Sequence, residues 1–392
     1  MFKTNTNKVT PIQSSSRYNN YIDVNIANRL KYLINMEILI GINRVYLLDC
    51  SKTKFWLTQL TTPFLFAAVM YLMIGDTFRR LTFSVLSNTF CVEITSLMFS
   101  GSYLQRNKLR DFFRKINDFD RQLDVDTKLI SPRPILCFVG ILIIFITVAI
   151  EYVFVTSYLY SNSVVIIVYL GILTHQSEIL FFCILLHAVL VRIRILKREV
   201  AKVFCDKENA RINISRRYTV ERVNAKAKFD ITMLSKSYEL LQEISDDLNA
   251  SMSSSMVVMF ISSGLFTIML LNSIFRSLQT NSNSIFNDML FPFSIMQCIK
   301  MTILIVSPCY LSNNTYSEVT AIRTILYDAL NSKKGDKLMR RKIKGFYQQT
   351  RDNDFAYVLW GLIRLDMSLP LSYTGLCATY LVIVLQFSKF FD

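Results

Sequence analysis

Long apolar blocks dominate the pattern along this 392-residue chain, and polar residues cluster between them. A helix needs roughly 20 mostly apolar residues to cross the hydrocarbon core of a bilayer. The blocks that reach this length are Trp56–Gly75, Leu81–Leu104, Pro134–Tyr158, Val164–Val191, Ser254–Phe275, Ile285–Pro308 and Leu369–Phe387. The pattern therefore predicts an all-α protein with seven membrane-spanning helices.

Four of these blocks contain ionisable residues. The second, third and fourth contain Glu93, Glu151 and Glu178, and the sixth contains Asp288 and Lys300. Ionisable groups inside a membrane are costly, so each is a candidate for a functional site. An unpaired ammonium group inside the membrane has a high free-energy cost. Lys300, Glu178 and Glu93 lie at comparable predicted depths in the membrane. We therefore expect Lys300 to pair with Glu178 or Glu93.

An eighth stretch, Leu30–Asp49, is apolar in pieces and is interrupted by Lys31, Glu37 and Arg44. A charge at the centre of a membrane costs about 3 kcal/mol on insertion scales. The stretch is therefore predicted to form an amphipathic helix at the membrane interface. A true membrane span is the alternative.

The basic residues are unevenly distributed between the segments that separate the apolar blocks. Residues 1–54, 105–133, 192–253 and 309–368 contain 8, 8, 13 and 10 of the 44 Lys and Arg residues, whereas the intervening loops and the tail contain four. Cytosolic loops carry the excess of Lys and Arg in membrane proteins. The distribution predicts a cytosolic amino terminus and, with an odd number of spans, an extracellular carboxyl terminus. This orientation is opposite to that of G-protein-coupled receptors.

The net charge of +15 could indicate a nucleic-acid partner, but basic loops beside a membrane explain it. Such loops attract anionic lipid, so membrane lipid is the predicted partner and nucleic acid is not. The two histidines, His175 and His187, lie in the fourth block, and no HExxH, GxSxG, P-loop or Rossmann glycine pattern occurs. The sequence therefore predicts no enzyme, no metal site and no cofactor.

The long segments on the cytosolic side are predicted to be helical. One of them has apolar residues at helical spacing that lead towards the fifth span: Ile231, Leu234, Tyr238, Leu241, Ile244 and Leu248. The fourth span continues into its cytosolic loop without a helix breaker, and Asn331 to Gly335 is predicted to end the helix after the sixth span. These apolar faces would pack either on one another within one subunit or on other subunits.

Aromatic and polar side chains are concentrated in the predicted outer half of the bundle. The candidates for ligand binding are Glu151, Tyr152, His175, Tyr169, Tyr71 and Asp288. Aromatic groups with a few polar groups are typical of a small-molecule cavity. The alternative for each residue is a place in the interfacial aromatic belt or in a hydrogen bond between helices.

The last apolar block has a stripe of uncharged polar residues. Ser372, Thr379 and Gln386 are seven residues apart and share one helical face, and Gly375 lies near it. Such a stripe suits the wall of a water-filled pore, and it also suits a helix–helix interface. The spacing does not decide between the two.

The segment Thr379–Phe387 resembles the TYhhhhhQF signature of insect gustatory receptors, in which h is an apolar residue. All four fixed positions match, and the upstream segment Gly361–Asp366 and the piece Ile38–Val45 with Gly41 are also similar to that family. The resemblance covers the layout of the whole chain and is sharpest over about the last 80 residues.

What this resemblance implies is a ligand-gated, cation-permeable channel in the plasma membrane of sensory neurons, opened by a small-molecule tastant. It implies a tetramer, formed with identical or related subunits, in which the last helices line a central pore. Gln386 and Phe387 would form the outer gate, with Thr379 and Tyr380 lower on the same helix. The ligand would bind near Glu151, Tyr152 and His175.

The resemblance also divides the chain. Residues 1–54 would form a cytosolic segment with the interfacial helix, and residues 55–310 would form six spans with the ligand pocket in their outer half. Residues 311–368 would form a cytosolic helical anchor between subunits, and residues 369–392 the pore helix with a short extracellular tail. The competing readings are an insect odorant-receptor-like subunit and, from other classes, a G-protein-coupled receptor or a transporter.

Overall fold

The computed structural model of the chain describes residues 30–48, 52–77, 84–123, 134–156, 162–213, 230–279, 285–331, 337–353 and 355–388. This part of the chain is almost entirely helical. The helices are α1 Lys31–Leu39, α2 Lys52–Thr77, α3 Ser84–Phe99, α4 Arg106–Gln122, α5 Pro134–Thr156, α6 Asn162–Asn213, α7 Ile231–Gln279, α8 Ile285–Asn331, α9 Lys337–Asp352 and α10 Ser368–Ser388. A 3-10 turn, Val45–Leu47, follows α1, and a π-helical turn, Ser100–Leu104, continues α3.

Each predicted apolar block lies in a helix wherever the structure describes it. Among the described residues, the stretches long and apolar enough to cross a membrane are Val168–Phe204, Ile231–Asn272 and Pro292–Asn331. Shorter apolar helical stretches are Leu60–Tyr71, Val139–Glu151 and Ser368–Ile383. The predicted all-α fold with several long apolar helices is therefore present, while the number and direction of the membrane crossings stay predictions.

Three helices extend far beyond the length of a membrane span. Helix α6 has 52 residues, α7 has 49 and α8 has 47. At 1.5 Å per residue α6 is about 78 Å long, against a hydrocarbon core of about 30 Å. The predicted continuation of the fourth span, and of the helix that leads to the fifth, is confirmed. The predicted stop after the sixth span lies almost wholly outside the described residues, since the description of α8 reaches Asn331 and resumes at Lys337.

The ends of the long helices bury their apolar faces on one another within this one subunit. The ring of Tyr238 on α7 lies edge-on to Phe346 of α9 at 5.7 Å and to Phe355 at 5.2 Å. Its hydroxyl donates a hydrogen bond to the carbonyl oxygen of Asn353 at 3.0 Å. Large apolar side chains nevertheless remain exposed in the same region: Tyr310, Tyr327, Leu338, Trp360 and Leu362. Packing within the subunit is thus present, and an exposed apolar face remains available to other subunits.

A short hairpin connects α9 to the last helix. Strand β1 (Val358–Leu359) pairs antiparallel with β2 (Ile363–Arg364). Ser253 of α7 accepts a hydrogen bond from the backbone N–H of Trp360 at 2.7 Å, and Asn249 of α7 donates its side-chain amide to the carbonyl oxygen of Val358 at 3.1 Å. These bonds fix the start of α10 relative to α7.

The amino-terminal stretch forms a short helix and a turn that are buried within the subunit, while its predicted place at the membrane interface stays a prediction. Helix α1 has nine residues, and Gly41 then turns the chain with a φ of +94°. Glu37 and Arg44, whose charges argued against burial, are fully buried. Arg44 donates hydrogen bonds to Glu37 at 2.7 Å and to Glu178 at 2.6 Å. The insertion cost used in the prediction applies to a lone charge in lipid, whereas this charge is paired inside the protein.

Candidate functional site

A chain of hydrogen bonds crosses the middle of the helical bundle from α3 to the last helix. His175 of α6 lies with Nδ1 2.5 Å from Oε1 of Glu93 on α3, and both side chains are buried. The hydroxyl of Ser263 on α7 lies 3.0 Å from Nε2, the other ring nitrogen of His175. Ser262 donates its hydroxyl to the other carboxylate oxygen of Glu93 at 2.5 Å.

The same chain reaches α10 through Tyr373. Its hydroxyl donates to the backbone carbonyl of Ser263 at 3.1 Å and lies 2.5 Å from the hydroxyl of Thr267. One residue of α7, Ser263, therefore bonds to His175 through its side chain and to Tyr373 through its backbone. Ser263 therefore contacts both the buried histidine and the last helix.

A second polar centre joins α5, α6 and α8. Lys300 of α8 donates a hydrogen bond to Oε1 of Glu151 on α5 at 2.5 Å. Tyr169 of α6 donates its hydroxyl to the backbone carbonyl of Glu151 at 2.5 Å. The predicted pairing of Lys300 with Glu178 or Glu93 is wrong, because these two carboxylates bind Arg44 and His175 instead.

Further polar side chains surround this second centre. Thr147, one turn before Glu151, lies with its hydroxyl 3.5 Å from Oε1 of Gln176 on α6. On α8, Gln297 precedes Lys300 by one turn and Ser294 precedes Gln297 by another, and both are buried. Apolar side chains from α2, α3, α6, α7 and α8 pack together in an adjoining cluster: Val69, Phe90, Cys91, Ile94, Met98, Val168, Ile172, Phe266, Leu270 and Met301. Apolar walls with a few placed polar groups are the composition of small-molecule sites.

Comparison with known proteins identifies the class of molecule in which these centres lie. The family described as 7tm chemosensory receptor matches residues 55–391, which is most of the chain. The chain belongs to this chemosensory receptor family. No curated protein sequence matches it significantly.

Two solved structures share the fold of this receptor. The insect olfactory receptor OR5 of Machilis hrabei in complex with eugenol superposes with a TM-score of 0.65 at 11% identity, covering 92% of this chain and 98% of that one. A second structure of the same olfactory receptor superposes with a TM-score of 0.62 at 12% identity and with the same coverage. The receptor is therefore a multi-pass membrane protein with the fold of an insect olfactory receptor, and it is not an enzyme.

The structure brings together only part of the set of ligand-binding residues that the sequence predicts for the receptor. Glu151 and Tyr169 are in direct contact, and His175 lies in the neighbouring chain of hydrogen bonds. Tyr71 is 79% exposed and does not join either buried centre. The side chains of Tyr152 and Asp288 lie outside the described part of the structure.

Two of the four predicted gate residues of the receptor, Thr379 and Gln386, are exposed on the last helix. Thr379 is exposed and donates its hydroxyl to the carbonyl oxygen of Gly375, one turn earlier, at 2.9 Å. Gln386 is exposed, Tyr380 is half-buried, and the side chain of Phe387 lies outside the described part. Ser372 is also exposed, so the polar stripe predicted from the spacing of seven faces away from the subunit.

Several polar residues of the two centres were not predicted from the sequence: Gln176, Ser262, Ser263, Ser294, Gln297 and Tyr373. Uncharged polar residues are common in membrane helices, so each is a weak signal by itself. The signal available was spacing, because Ser294, Gln297 and Lys300 follow one another at intervals of three on α8.

Proposed function

We propose that this receptor is a gustatory receptor that acts as a ligand-gated, non-selective cation channel. A small-molecule tastant, bitter compound or sugar binds it from outside the cell, in the outer half of the bundle. The receptor works as a homotetramer, or as a heterotetramer with related receptors, in the plasma membrane of sensory neurons. The gustatory assignment is supported by the intact signature Thr379–Phe387.

The observation that carries the proposal is the chain of hydrogen bonds from Glu93 and His175 through Ser263 to Tyr373. It joins a candidate ligand-binding residue to the helix that carries the candidate gate. A ligand shifts a conformational equilibrium only by its difference in affinity between the two states. A ligand that contacts His175 in one state more than in the other therefore also changes the position of Ser263 and of Tyr373.

The pore lies where the exposed stripe of α10 meets the same stripe of other subunits. Thr379 and Gln386 line it with a hydroxyl and an amide, and the ring of Phe387 closes it as a hydrophobic constriction. Polar groups stabilise a partly hydrated ion, and hydrophobic constrictions gate by excluding water. The exposure of Ser372, Thr379 and Gln386 in the single subunit supports this arrangement.

The gate is tested with Phe387→Ala, which should produce a leak current without ligand in cells that express the receptor. Leu381→Ala is the matched control, because Leu381 lies about 200° around the helix from Thr379 at 100° per residue and is half-buried. Surface labelling must show equal amounts of both variants. If Phe387→Ala channels at the surface stay silent and respond to ligand as before, the gate assignment fails.

The coupling is tested with Tyr373→Phe, which removes the hydroxyl and keeps the ring. The hydroxyl contacts both Ser263 and Thr267, so losing two hydrogen bonds of about 0.5–1.5 kcal/mol each should change the half-maximal ligand concentration about 5-fold or more without loss of surface expression. Tyr310→Phe, at an exposed tyrosine, is the control. An unchanged dose–response curve for Tyr373→Phe would show that the contact does not couple ligand to gate.

A second candidate function is that of an odorant-receptor-like channel subunit. The likeness in fold to the olfactory receptor solved with eugenol favours it. The two functions differ in the ligand, so calcium imaging against volatile apolar compounds and against water-soluble tastants separates them.

A further inference from the structure

Helix α9 carries a row of basic side chains on its solvent-facing side. Five exposed residues belong to this row: Lys337, Arg340, Arg341, Lys344 and Arg351. At 100° per residue they lie within an arc of about 100° around the helix axis, and they extend over about 21 Å of its length. Gln348 is the other residue on this arc, so the row contains no acidic and no apolar side chain. The row is called the cationic stripe below.

The packing of α9 holds the stripe in solvent. The buried residues of this helix are Ile343, Phe346 and Thr350, on its other side. Phe346 packs edge-on against Tyr238 of α7 at 5.7 Å. Because α9 is anchored through that face, the stripe stays open to a partner.

The charges of the stripe have no counter-charge among the described residues. None of the five cations pairs there with a carboxylate, whereas Lys342, which lies on the same helix but off the stripe, pairs with Asp230 at 3.3 Å. Exposed cations on the other predicted cytosolic helices do pair with carboxylates, as in Lys108–Asp247, Arg114–Asp111 and Lys202–Glu199. The stripe thus differs from an ordinary charged surface of this receptor.

The spacing of the stripe also opposes the stability of α9. Lys337 and Lys344 each lie three or four positions from both Arg340 and Arg341. Like charges at these spacings are neighbours on a helix and destabilise it. An anion bound along the stripe would remove this repulsion, so the arrangement favours an anionic ligand.

The chemistry of the stripe indicates which anion fits it. Protein interfaces have apolar or aromatic side chains at their centre and are depleted of lysine, and single-stranded nucleic acid is bound by aromatic side chains that stack on its bases. The stripe has no apolar or aromatic member. The guanidinium groups of Arg340 and Arg341, by contrast, match phosphate through two parallel hydrogen bonds each. Several phosphate groups within about 10 Å would meet the first four cations together.

The place of the stripe separates it from the predicted membrane. Lys342 contacts Asp230 at the start of α7, and the predicted fifth span begins at Ser254, 24 positions later. At 1.5 Å per residue this is about 36 Å, several times the Debye length of about 8 Å at physiological ionic strength. Anionic lipid at the predicted membrane surface is therefore too far away, which favours a soluble ligand.

We propose that the cationic stripe of α9 binds a soluble molecule with several adjacent phosphate groups, of the class of inositol polyphosphates and nucleoside triphosphates. Arg340 and Arg341 bind phosphate oxygens, and Lys337, Lys344 and Arg351 neutralise the remaining charge. The inference goes beyond the proposed function, because it assigns a second ligand, on the predicted cytosolic side, to a surface with no part in tastant binding or in the pore.

Binding is measured by isothermal titration calorimetry with the purified full-length receptor in detergent, without divalent cations. The probes are inositol hexakisphosphate, ATP, inorganic phosphate, and polyglutamate as an acidic chain without phosphate. We expect inositol hexakisphosphate to bind about 10-fold or more tightly than polyglutamate of equal charge, and to bind more weakly as salt is added. Absence of binding by inositol hexakisphosphate, or equal binding by polyglutamate, would overturn the proposal.

The stripe itself is tested with a triple variant, Arg340→Gln, Arg341→Gln and Lys344→Gln. It should weaken binding of inositol hexakisphosphate about 10-fold or more. The control removes the same charge from cations that are 55%, 65% and 62% exposed, with Lys108→Gln, Arg114→Gln and Lys202→Gln. It should change the affinity less than about 2-fold. Equal effects of the two triple variants would show general attraction of anions and would refute the site.

Two measurements exclude a loss of binding that comes from misfolding. Without ligand, the stripe variant should unfold at no lower temperature than the native receptor, because like charges are removed. Arg340→Lys combined with Arg341→Lys keeps the charge and loses the parallel hydrogen bonds, and it should weaken binding about 3-fold or more. Unchanged affinity in this double variant would contradict the role of the two arginines.

The source of the phosphate groups is tested with receptor in nanodiscs, with and without phosphatidylinositol bisphosphate. The affinity for inositol hexakisphosphate should be the same in both. If the lipid in the receptor's own nanodisc blocks inositol hexakisphosphate, the stripe binds membrane headgroups and the proposal of a soluble ligand fails. All of these measurements record binding and not current, so their failure leaves the channel proposal standing, and a silent channel leaves this inference standing.

Discussion

Replacing Arg44 with Met tests whether the buried amino-terminal stretch is held by its charges. The guanidinium donates to Glu37 at 2.7 Å, to Glu178 at 2.6 Å and to Gln105 at 2.7 Å. It also lies 4.1 Å from the centre of the Phe181 ring. Both ion pairs are inaccessible to solvent. Methionine fills a similar volume and removes the cation.

The size of the effect depends on how many carboxylates are ionised. Burial raises the pKa of Glu37, against the opposing effect of Arg44, to about 8, so its carboxyl group mostly carries a proton at pH 7. The variant then leaves one buried carboxylate, that of Glu178, without a cation. Such an unpaired charge lowers the free energy of unfolding by about 3–5 kcal/mol. At roughly 2–4 °C per kcal/mol, the midpoint of thermal unfolding should fall on the order of 6–20 °C.

The assay is thermal unfolding of the detergent-solubilised, fluorescently tagged receptor, followed by size-exclusion chromatography. Glu37→Gln should change the midpoint little, because glutamine resembles the protonated acid. Adding Glu178→Gln to Arg44→Met should restore much of the loss, since no unpaired carboxylate remains. Lys202→Met, in an exposed pair with Glu199, is the control. The reasoning is refuted if Arg44→Met matches this control, or if the double variant is no more stable than the single one.

The pKa of Glu37 also predicts a dependence of stability on pH. Because its folded-state pKa of about 8 exceeds the unfolded value of 4.5, the folded state binds more protons between these values. The free energy of unfolding should therefore fall as pH rises from 4.5 through 8. Glu37→Gln should remove this part of the slope. If the free energy of unfolding depends on pH in the same way in the native receptor and in the variant, this prediction is contradicted.

Three further variants test packing, pairing and assembly. Gly171→Ala should lower the unfolding midpoint, because the added Cβ would lie 2.5–2.8 Å from side-chain atoms of Phe90. Such overpacking costs about 1–3 kcal/mol of stability. Adding Phe90→Leu should recover part of this loss. Asp120→Ala should destabilise the folded receptor by about 3–5 kcal/mol. The buried guanidinium of Arg192 then loses its two hydrogen bonds to the carboxylate, at 2.6 and 2.9 Å. Surface expression should fall as a result. Leu362→Asp changes a side chain that is 83% exposed and should leave the unfolding midpoint unchanged. If the hairpin contacts other subunits in the proposed tetramer, the variant should reduce the fraction of that tetramer on size-exclusion chromatography. An unchanged elution volume would show that the hairpin does not contribute to assembly.

Local signals in the sequence predicted the helices well. The length of an apolar block predicts a helix long enough to span a membrane. The spacing of Leu234, Tyr238 and Leu241 predicts which face of α7 is buried. Both signals come from residues close together in the chain, whose spacing depends on helix geometry alone.

The pairing of charges could not be predicted in this way. The depth of Lys300 follows from the rise per residue, and on depth alone Glu93 and Glu178 were suitable partners. The direction in which each side chain points around the bundle depends on how the helices pack. Arg44 comes from a stretch that was expected to lie outside the bundle, and it pairs with Glu178. His175 pairs with Glu93. Glu151 is then the partner within reach of Lys300.

These pairings bear on how the candidate ligand site can be studied. Apolar burial gives membrane helices little reason to associate, since lipid is as apolar as their side chains. Contacts such as Lys300 with Glu151 and His175 with Glu93 therefore define which helices meet, and they lie at the candidate ligand site as well. Removing a charge there would disturb packing and binding together. Glu151→Gln keeps shape and hydrogen bonding, so it separates the two effects better than alanine does.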